Sequence, residues 1–156
     1  MKRDFSHRFG FLVNEVAKLY GDAFDRAARE RIGLSRAQCR LLGALAMRSE
    51  PVSQATLAAE MGLSAMGVAS LVDRMEAAGW IERRTSATDR RVNEIHLLPR
   101  AERALDAALV VGDELHARAL ATLSAAERKS LLVLLAKARS GLLALERERD
   151  PAEADA

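Results

Sequence analysis

Residues 71–84 read LVDRMEAAGWIERR, and their pattern is the most informative in the chain about its fold. The first half of this stretch continues a pattern in which apolar residues recur every three or four positions, which is typical of an amphipathic helix. Those apolar residues are Val68, Leu71, Val72 and Met75. Gly79 ends the helical pattern, and WIERR after it predicts a short strand. The stretch therefore predicts an amphipathic helix that leads directly into a strand.

Two N-cap signals precede this stretch. Ser53 begins a short helix through Glu60, and Ser64 begins the longer helix, because a serine side chain accepts a hydrogen bond from a free N–H of the first helical turn. Gly62 predicts a tight break between them. Two helices of about eight and about fifteen residues, joined by a glycine-containing turn, are typical of a helix-turn-helix.

A hairpin is predicted after the second helix. Strands are expected at residues 80–84 and 91–97, with a polar, turn-forming segment at 85–90 between them. A hairpin in this position is a wing. The predicted fold class is therefore mainly α with a small β-hairpin wing, that is, a winged helix-turn-helix with long terminal helices.

The long helices lie at both ends of the chain. The first covers about residues 6–31 and stops at Gly33, after which Ser35 and Gln38 form a capping box that opens the next helix. A helix over residues 99–122 follows the wing, and Ser124 begins the last helix. In the helix over 99–122 the expected inner stripe consists of Leu105, Leu109, Leu115 and Leu120.

The apolar faces of the terminal helices are wide. Either the first helix packs on the last within one chain, or the faces are buried mutually in a homodimer. We favour the homodimer, because faces of this size would otherwise form unusually large exposed patches. The residues predicted to carry dimerisation are Phe9, Leu12, Val16, Leu131, Leu135 and Leu142. The predicted regions are 1–34 and 99–149 for dimerisation, 35–98 for the winged helix-turn-helix and 150–156 for a frayed acidic tail.

Composition and spacing argue against several other classes of protein. The net charge of +2 permits nucleic-acid binding without requiring it. Apolar runs are too short for a membrane span or a signal peptide, so we expect a soluble, cytoplasmic protein without a membrane partner. His7, His96 and His116 lack metal-ligand spacing, and we find no nucleophile elbow and no phosphate-binding glycine loop. We therefore expect no enzyme, no metal and no cofactor.

The single cysteine, Cys39, excludes an intramolecular disulfide. A redox switch is one interpretation of it. Its position beside Leu41 and Leu42 favours the other interpretation, in which a small apolar side chain is packed in the core.

Residues 71–84, together with Asp89, Arg90 and Arg91, resemble the MarR family of bacterial regulators, and the resemblance is closest to the MarR/SlyA branch. Members of the family read Asp-Arg-Leu-Glu, then Gly, an apolar pair and a basic pair, and Asp-Arg-Arg after a short gap. Each of these elements stands at the expected spacing here. One departure lies at Leu98, where relatives commonly have a threonine that caps the next helix.

This resemblance implies a homodimer that binds a pseudo-palindromic operator in double-stranded DNA, usually as a repressor. It also implies release by a small-molecule effector of the aromatic or phenolic acid class, and it makes Arg91 the wing arginine with Asp89 as its partner. Independently, a helix-turn-helix places its second helix in the major groove, and arginines at a hairpin tip suit a narrow minor groove. The candidate DNA-binding residues are Ser53, Gln54, Ser64, Ala65, Met66, Gly67, Ser70, Arg74, Arg83, Arg84, Asp89, Arg90 and Arg91.

Two questions stay open from the residues. The second helix opens with SAMGVAS, which offers few side chains for reading bases, so an alternative function is a winged-helix protein-interaction module without an operator of its own. The four wing arginines argue against that alternative. Arg74 either contacts a guanine or a phosphate, or pairs with its neighbours Asp73 and Glu76 on a solvated face.

Overall fold

The computed structural model describes residues 3–48, 50, 52–86 and 93–149. The elements in these residues are α1 (Phe9–Ile32), α2 (Arg36–Ala46), β1 (Val52–Ser53), α3 (Gln54–Met61), α4 (Ala65–Ala77), β2 (Ile81–Thr85), β3 (Asn93–Leu97), α5 (Pro99–Ala119) and α6 (Ala125–Arg149). The predicted fold class is confirmed. The predicted strands are shifted by one residue at β2, and of the predicted second strand residues 91 and 92 lie outside the described residues.

α2, α3, α4 and α6 begin at the predicted capping serines, whereas α1 begins at Phe9, three residues later than expected and without a side-chain cap. At α2 the Ser35 Oγ accepts from the Gln38 N–H at 3.3 Å, and the Gln38 Oε1 accepts from the Ser35 N–H at 2.8 Å. Ser124 and Glu127 form the same reciprocal box at α6. Gly62 ends α3 with a φ of 62°, a left-handed conformation that a side chain disfavours. Capping side chains and the glycine at the end of α3 therefore set where these helices begin and end.

The sheet has three strands in the order β1-β3-β2, and both pairs are antiparallel. β2 and β3 form the predicted hairpin, with Arg83 opposite Ile95. The sequence does not predict β1, because two residues are too few to show an alternating pattern. Val52 pairs with Ile95 on the other edge of β3. The strand therefore ties the start of α3 to the wing.

The hydrophobic core surrounds the helix-turn-helix. The four apolar residues that predicted the inner face of α4 are all buried. They pack in one cluster with residues of α2, α3, the sheet and α5, among them Leu41, Leu42, Leu57, Trp80 and Ile81. The helical period thus identified the inner face of α4 correctly.

The expected leucine stripe of α5 is confirmed only in part: Leu105 is partly buried against the core, but Leu109 does not face it. The residues that α5 buries are Ala101, Ala104, Ala108 and Val111. Leu109 is instead 66% exposed. Small alanine side chains allow close helix packing, and a search for large apolar residues overlooks such a face. The helix also ends at Ala119, three residues earlier than expected.

Two compact units can be distinguished along the chain. The first ends at Leu115 and holds the core, and the second begins at His116 and holds α6. Within the described ranges, no single helix is long and apolar enough to span a bilayer; α3 and α4 meet the length and composition test only as a pair bent by 113°.

Candidate DNA interface

The helix-turn-helix presents the first turn of α4 to solvent. α3 and α4 are turned by 113° relative to each other, which is the usual angle of this motif. The Ser64 Oγ caps α4 by accepting from the Gly67 N–H at 3.1 Å. Four predicted contact residues, Ser64, Ala65, Met66 and Gly67, are exposed, and Met66 is 82% exposed. The first turn is therefore available to a partner while the opposite face of α4 is buried.

Arg74 lies on the same exposed side of α4. Its Nη1 donates to the Ser70 Oγ at 2.9 Å, one helical turn earlier. The two carboxylates beside it in sequence, Asp73 and Glu76, pair with Arg83 instead. The Arg74 guanidinium is therefore held along the exposed face by a neutral hydroxyl, with donors left for a further acceptor.

Arg83 lies at the base of the wing, on β2, and is held by α4. Its guanidinium hydrogen-bonds Glu76 and Asp73, and its backbone N–H donates to the Glu76 Oε1 at 2.7 Å. Partial burial alone would lower the pKa of Arg83, but the hydrogen bonds that its guanidinium donates to Asp73 and Glu76, together with their negative charges, outweigh it and raise the pKa. This predicted DNA contact thus has two carboxylate partners within the protein. The geometry fastens the wing to α4.

The rest of the wing is described only in part. Arg84 follows Arg83 on β2, is exposed, and pairs with Glu82. Asp89, Arg90 and Arg91, which are the most diagnostic residues of the resemblance, lie outside the described residues.

The start of α3 holds the predicted contact residues Ser53 and Gln54. The Ser53 Oγ accepts from the Thr56 N–H at 3.2 Å and lies 3.0 Å from the Thr56 Oγ1. Gln54 is half-buried, and its Nε2 is enclosed without a hydrogen-bond partner among the described residues. Ser53 is therefore occupied as a cap, which leaves the backbone N–H groups of the first turn as the natural phosphate ligands there.

The predicted dimerisation residues are mostly exposed. On α1 these are Phe9, Leu12 and Val16, and on α6 Leu135 and Leu142 are exposed while Leu131 is half-buried. Phe5 extends the apolar surface of α1, because its ring stacks on that of Phe11 with centroids 5.1 Å apart.

A polar cavity of about 480 Å³ opens between α1 and α2. Its lining residues are Gly21, Asp22, Asp25, Arg26, Arg36, Ala37 and Arg40. A Cβ at Gly21 would lie 2.0 Å from the Arg36 Nη1, so the glycine is what admits this guanidinium. Hydrogen bonds from the Arg29 side chain and the Arg36 N–H hold the pKa of Asp25 below its usual range. The cavity therefore combines two carboxylates that already have cationic partners, Asp22 with Lys18 and Asp25 with Arg29, with three arginines.

Cys39 is buried in α2. Burial first, and then the negative charge of Asp25, raise the pKa of its thiol. A protonated, enclosed thiol is a poor nucleophile. The arrangement supports the interpretation of Cys39 as a packed core residue.

Two features of this region were not found by sequence reasoning. One is the cavity, because its residues come from two helices and form no linear motif. The other is a contact between Arg100 and Trp80, whose ring centroid lies 3.9 Å from the Arg100 Cζ. An exposed arginine near the start of a helix gives no sequence signal for such a contact.

Comparison with known proteins gives one family. Residues 32–92 match the model described as the MarR family. A probable transcriptional regulator from Pseudomonas aeruginosa is 28% identical, with a TM-score of 0.71, and the match covers 86% of this chain and 98% of that one. A MarR-family transcriptional regulator from Rhodococcus sp. RHA1 is 25% identical, with a TM-score of 0.74 over 86% of this chain and 95% of its own.

A third similar structure contains a ligand. CouR from Rhodococcus jostii RHA1, solved bound to p-coumaroyl-CoA, is 26% identical to this chain, with a TM-score of 0.71. The match covers 86% of this chain and 93% of CouR. The branch within the family stays a prediction. The family-model match over residues 32–92 and the shared winged-helix fold together make this chain similar to the MarR family of transcriptional regulators.

Proposed function

We propose that this chain is a cytoplasmic, homodimeric repressor that binds a pseudo-palindromic operator in double-stranded DNA and is released by a small-molecule effector. The observation that carries the proposal is the exposed first turn of α4, capped by Ser64 and followed on the same side by Ser70 and Arg74. The first turn of a recognition helix is the part that reaches base edges in a major groove. Met66 and Ala65 there can pack on thymine methyl groups.

The wing supplies the electrostatic part of the proposed interface. Arg84 and Arg90, as arginines of the wing, contact the DNA together with Arg91, the wing arginine by family resemblance, which Asp89 holds. Arg83 does not contact the DNA in this proposal; its ion pairs with Asp73 and Glu76 hold the wing against α4. Shape recognition in the minor groove then adds to the few base contacts that α4 offers.

Dimerisation is supported by exposed apolar side chains on both terminal helices. Phe9, Leu12 and Val16 form one stripe on α1, and Leu135 and Leu142 lie on α6. A second copy of the chain would remove these side chains from water. Two-fold symmetry of the dimer would then match two-fold symmetry of the operator.

The effector is proposed to bind in the cavity between α1 and α2. The three arginines of the cavity outnumber Asp22 and Asp25, whose charges are already paired with Lys18 and Arg29, so the cavity is suited to an anionic group. A carboxylate is bound well by the planar fork of arginine. An aromatic or phenolic acid, the class implied by the family resemblance, carries such a group. The effector would favour a dimer whose recognition helices no longer match the operator.

The test is selection of duplexes from a random pool by the purified full-length chain. Affinity for the selected duplex is then measured at about 50 and about 200 mM salt, because affinity that comes from phosphate contacts falls steeply over this range. We expect a two-fold symmetric sequence whose affinity falls steeply with salt. An interaction module without an operator would select no sequence and bind no DNA at low salt. That result would overturn the proposal.

Effector binding is tested separately by the thermal unfolding midpoint. Benzoate, 4-hydroxybenzoate and p-coumarate serve as probes, and benzyl alcohol serves as the uncharged control. A carboxylate that binds the native chain at a hundred times its Kd adds about 2.7 kcal/mol of stability. An equal response to benzyl alcohol would contradict the role of the arginines.

A further inference from the structure

The corner where α4 passes into β2 is fastened to the first turn of α5. The Leu98 N–H donates to the Trp80 carbonyl at 3.1 Å, and the Ala101 N–H donates to the Leu98 carbonyl at 2.8 Å. Trp80 and Ala101 are both buried. These contacts fix the backbone path from the wing into α5.

Arg100 adds two side-chain contacts at the same corner. Its Nη1 donates to the carbonyl of Ala78, the C-cap residue of α4, at 2.9 Å. Its guanidinium also lies over the Trp80 ring, 3.9 Å from the centroid. A cation at this distance is attracted by the face of an indole and by the negative end of a helix. One exposed side chain thus joins the end of α4, the start of β2 and α5.

The same helix, α5, contacts α1 farther along. Glu114 pairs with Arg31 near the end of α1. Gly112 lies close to α1 as well, since a Cβ there would be 3.9 Å from the Phe24 Cε2. Within the first unit, α5 therefore runs from the end of the recognition helix to the helix that forms one wall of the polar cavity.

We propose that Arg100 is a positioning residue that makes the recognition helix α4 follow the orientation of α5. Arg100 itself touches no DNA in this proposal. When Arg100 is removed, α5 stays packed through its alanine face. The end of α4 then loses the cation that binds the Ala78 carbonyl, and the Trp80 ring loses the guanidinium that covers it. The inference rests on DNA binding by α4, and it adds the route by which a change at α1 and α5 reaches that helix.

The first experiment needs no DNA. Trp80 is the only tryptophan of the chain, so its emission and its quenching by acrylamide report on this corner alone. The variants are Arg100→Ala, Arg100→Gln and Arg100→Lys. The control is Arg103→Ala, an exposed arginine on the same helix. We expect quenching to rise in Arg100→Ala and Arg100→Gln, to stay near wild type in Arg100→Lys, and to be unchanged in Arg103→Ala. Equal quenching in all proteins would overturn the proposal.

The second experiment compares two duplexes at a temperature where all variants are folded. One is the selected symmetric sequence, and the other has the same bases in scrambled order. We expect Arg100→Ala to weaken binding of the selected duplex by about tenfold. Binding of the scrambled duplex and the salt slope should stay as in the wild type, and Arg100→Lys should restore part of the loss.

Two other outcomes would contradict the role of Arg100, and a third would contradict the proposed function. A salt slope reduced by about 0.9, with equal losses on both duplexes, would make Arg100 a phosphate contact. Unchanged affinity for the selected duplex, despite greater quenching of Trp80, would make it a packing residue only. If the wild type selects no sequence at all, the proposed function fails, while the quenching result still reports whether Arg100 holds the corner.

Discussion

The arginines of the interface differ in what already holds them. Arg83 has two carboxylate partners on α4, Arg84 has one on its own strand, and Arg74 is bonded to a hydroxyl. A carboxylate partner must be released before an arginine can take a phosphate, whereas a hydroxyl partner costs little. Two carboxylate partners on another element therefore mark Arg83 as the side chain that places the wing, whereas Arg84, which is more exposed and paired once within its own strand, remains able to contact DNA.

Replacing Arg83 tests that separation. Arg83→Ala should lower the free energy of unfolding by about 1 to 2 kcal/mol, because it removes charge-assisted hydrogen bonds that are only partly buried. Operator affinity should fall while the salt slope stays constant. Arg84→Ala, the matched change, should reduce the slope by about 0.9. The measurement is fluorescence anisotropy over a series of salt concentrations.

The double variant Arg83→Ala with Glu76→Gln completes this test. Its loss of stability should be smaller than the sum of the two single losses, because both changes break the same pair. Additive losses, or a slope reduced by Arg83→Ala as much as by Arg84→Ala, would contradict a positioning role for Arg83.

The Cys39 thiol should react slowly in the folded protein. Its pKa is raised by burial and by Asp25, so the thiol stays protonated near neutral pH. The fraction of thiolate, and with it the rate of reaction, increases only as the pH rises. A thiol reagent also reaches it only in locally opened molecules, which slows reaction about tenfold for each 1.4 kcal/mol of opening free energy. Rates with and without denaturant check this, and native reactivity equal to that of the unfolded chain would restore the redox hypothesis.

At the scale of elements, the helices of the winged module were largely predictable. Capping serines, glycine stops and the apolar period of α4 act within a few residues, so the sequence displays them directly. β1 and the inner face of α5 were not predictable. A two-residue strand has no period, and the alanines of α5 become an inner face only because the rest of the core packs on them. The partners of Arg83 and the polar cavity likewise depend on tertiary contacts.

The N-cap of α4 can be separated from its contact with DNA by three variants. Ser64→Ala removes the cap and should cost about 1 kcal/mol of stability. Ser64→Asp keeps the cap but adds a negative charge that repels phosphate, so stability should hold while operator affinity falls. Ser64→Asn keeps both the cap and the neutral charge and is the control. Normal operator binding by Ser64→Asp would show that the first turn of α4 does not contact the DNA phosphates.

Gly21 tests the cavity between α1 and α2 without weakening the fold. Gly21→Ala should stabilise α1 by about 0.5 to 1 kcal/mol, as alanine does in a helix interior, less the cost of displacing the flexible end of Arg36. Affinity for a carboxylate probe should fall. Gly43→Ala on α2, where a Cβ would meet nothing within 4 Å, is the matched control. Full probe affinity in Gly21→Ala would exclude Arg36 as a ligand.

At the scale of the whole molecule, dimerisation is the claim on which the operator geometry depends. Val16→Glu places a charge within the exposed apolar stripe of α1 and should produce monomers in sedimentation analysis. Asn14→Glu changes a neighbouring residue that lies outside the stripe and should leave the dimer intact. Monomers in the wild type, or a dimer unaffected by Val16→Glu, would contradict the proposed use of α1.

Dimeric operator binding is tested by a hydroxyl-radical footprint of the full-length protein on the selected duplex. We expect two protected patches related by two-fold symmetry, with centres about 10 to 10.5 base pairs or a multiple apart, because each recognition helix of the dimer occupies one major groove. A single unsymmetric patch, or protection that does not depend on sequence, would contradict a homodimer that reads an operator through α4 and the wing.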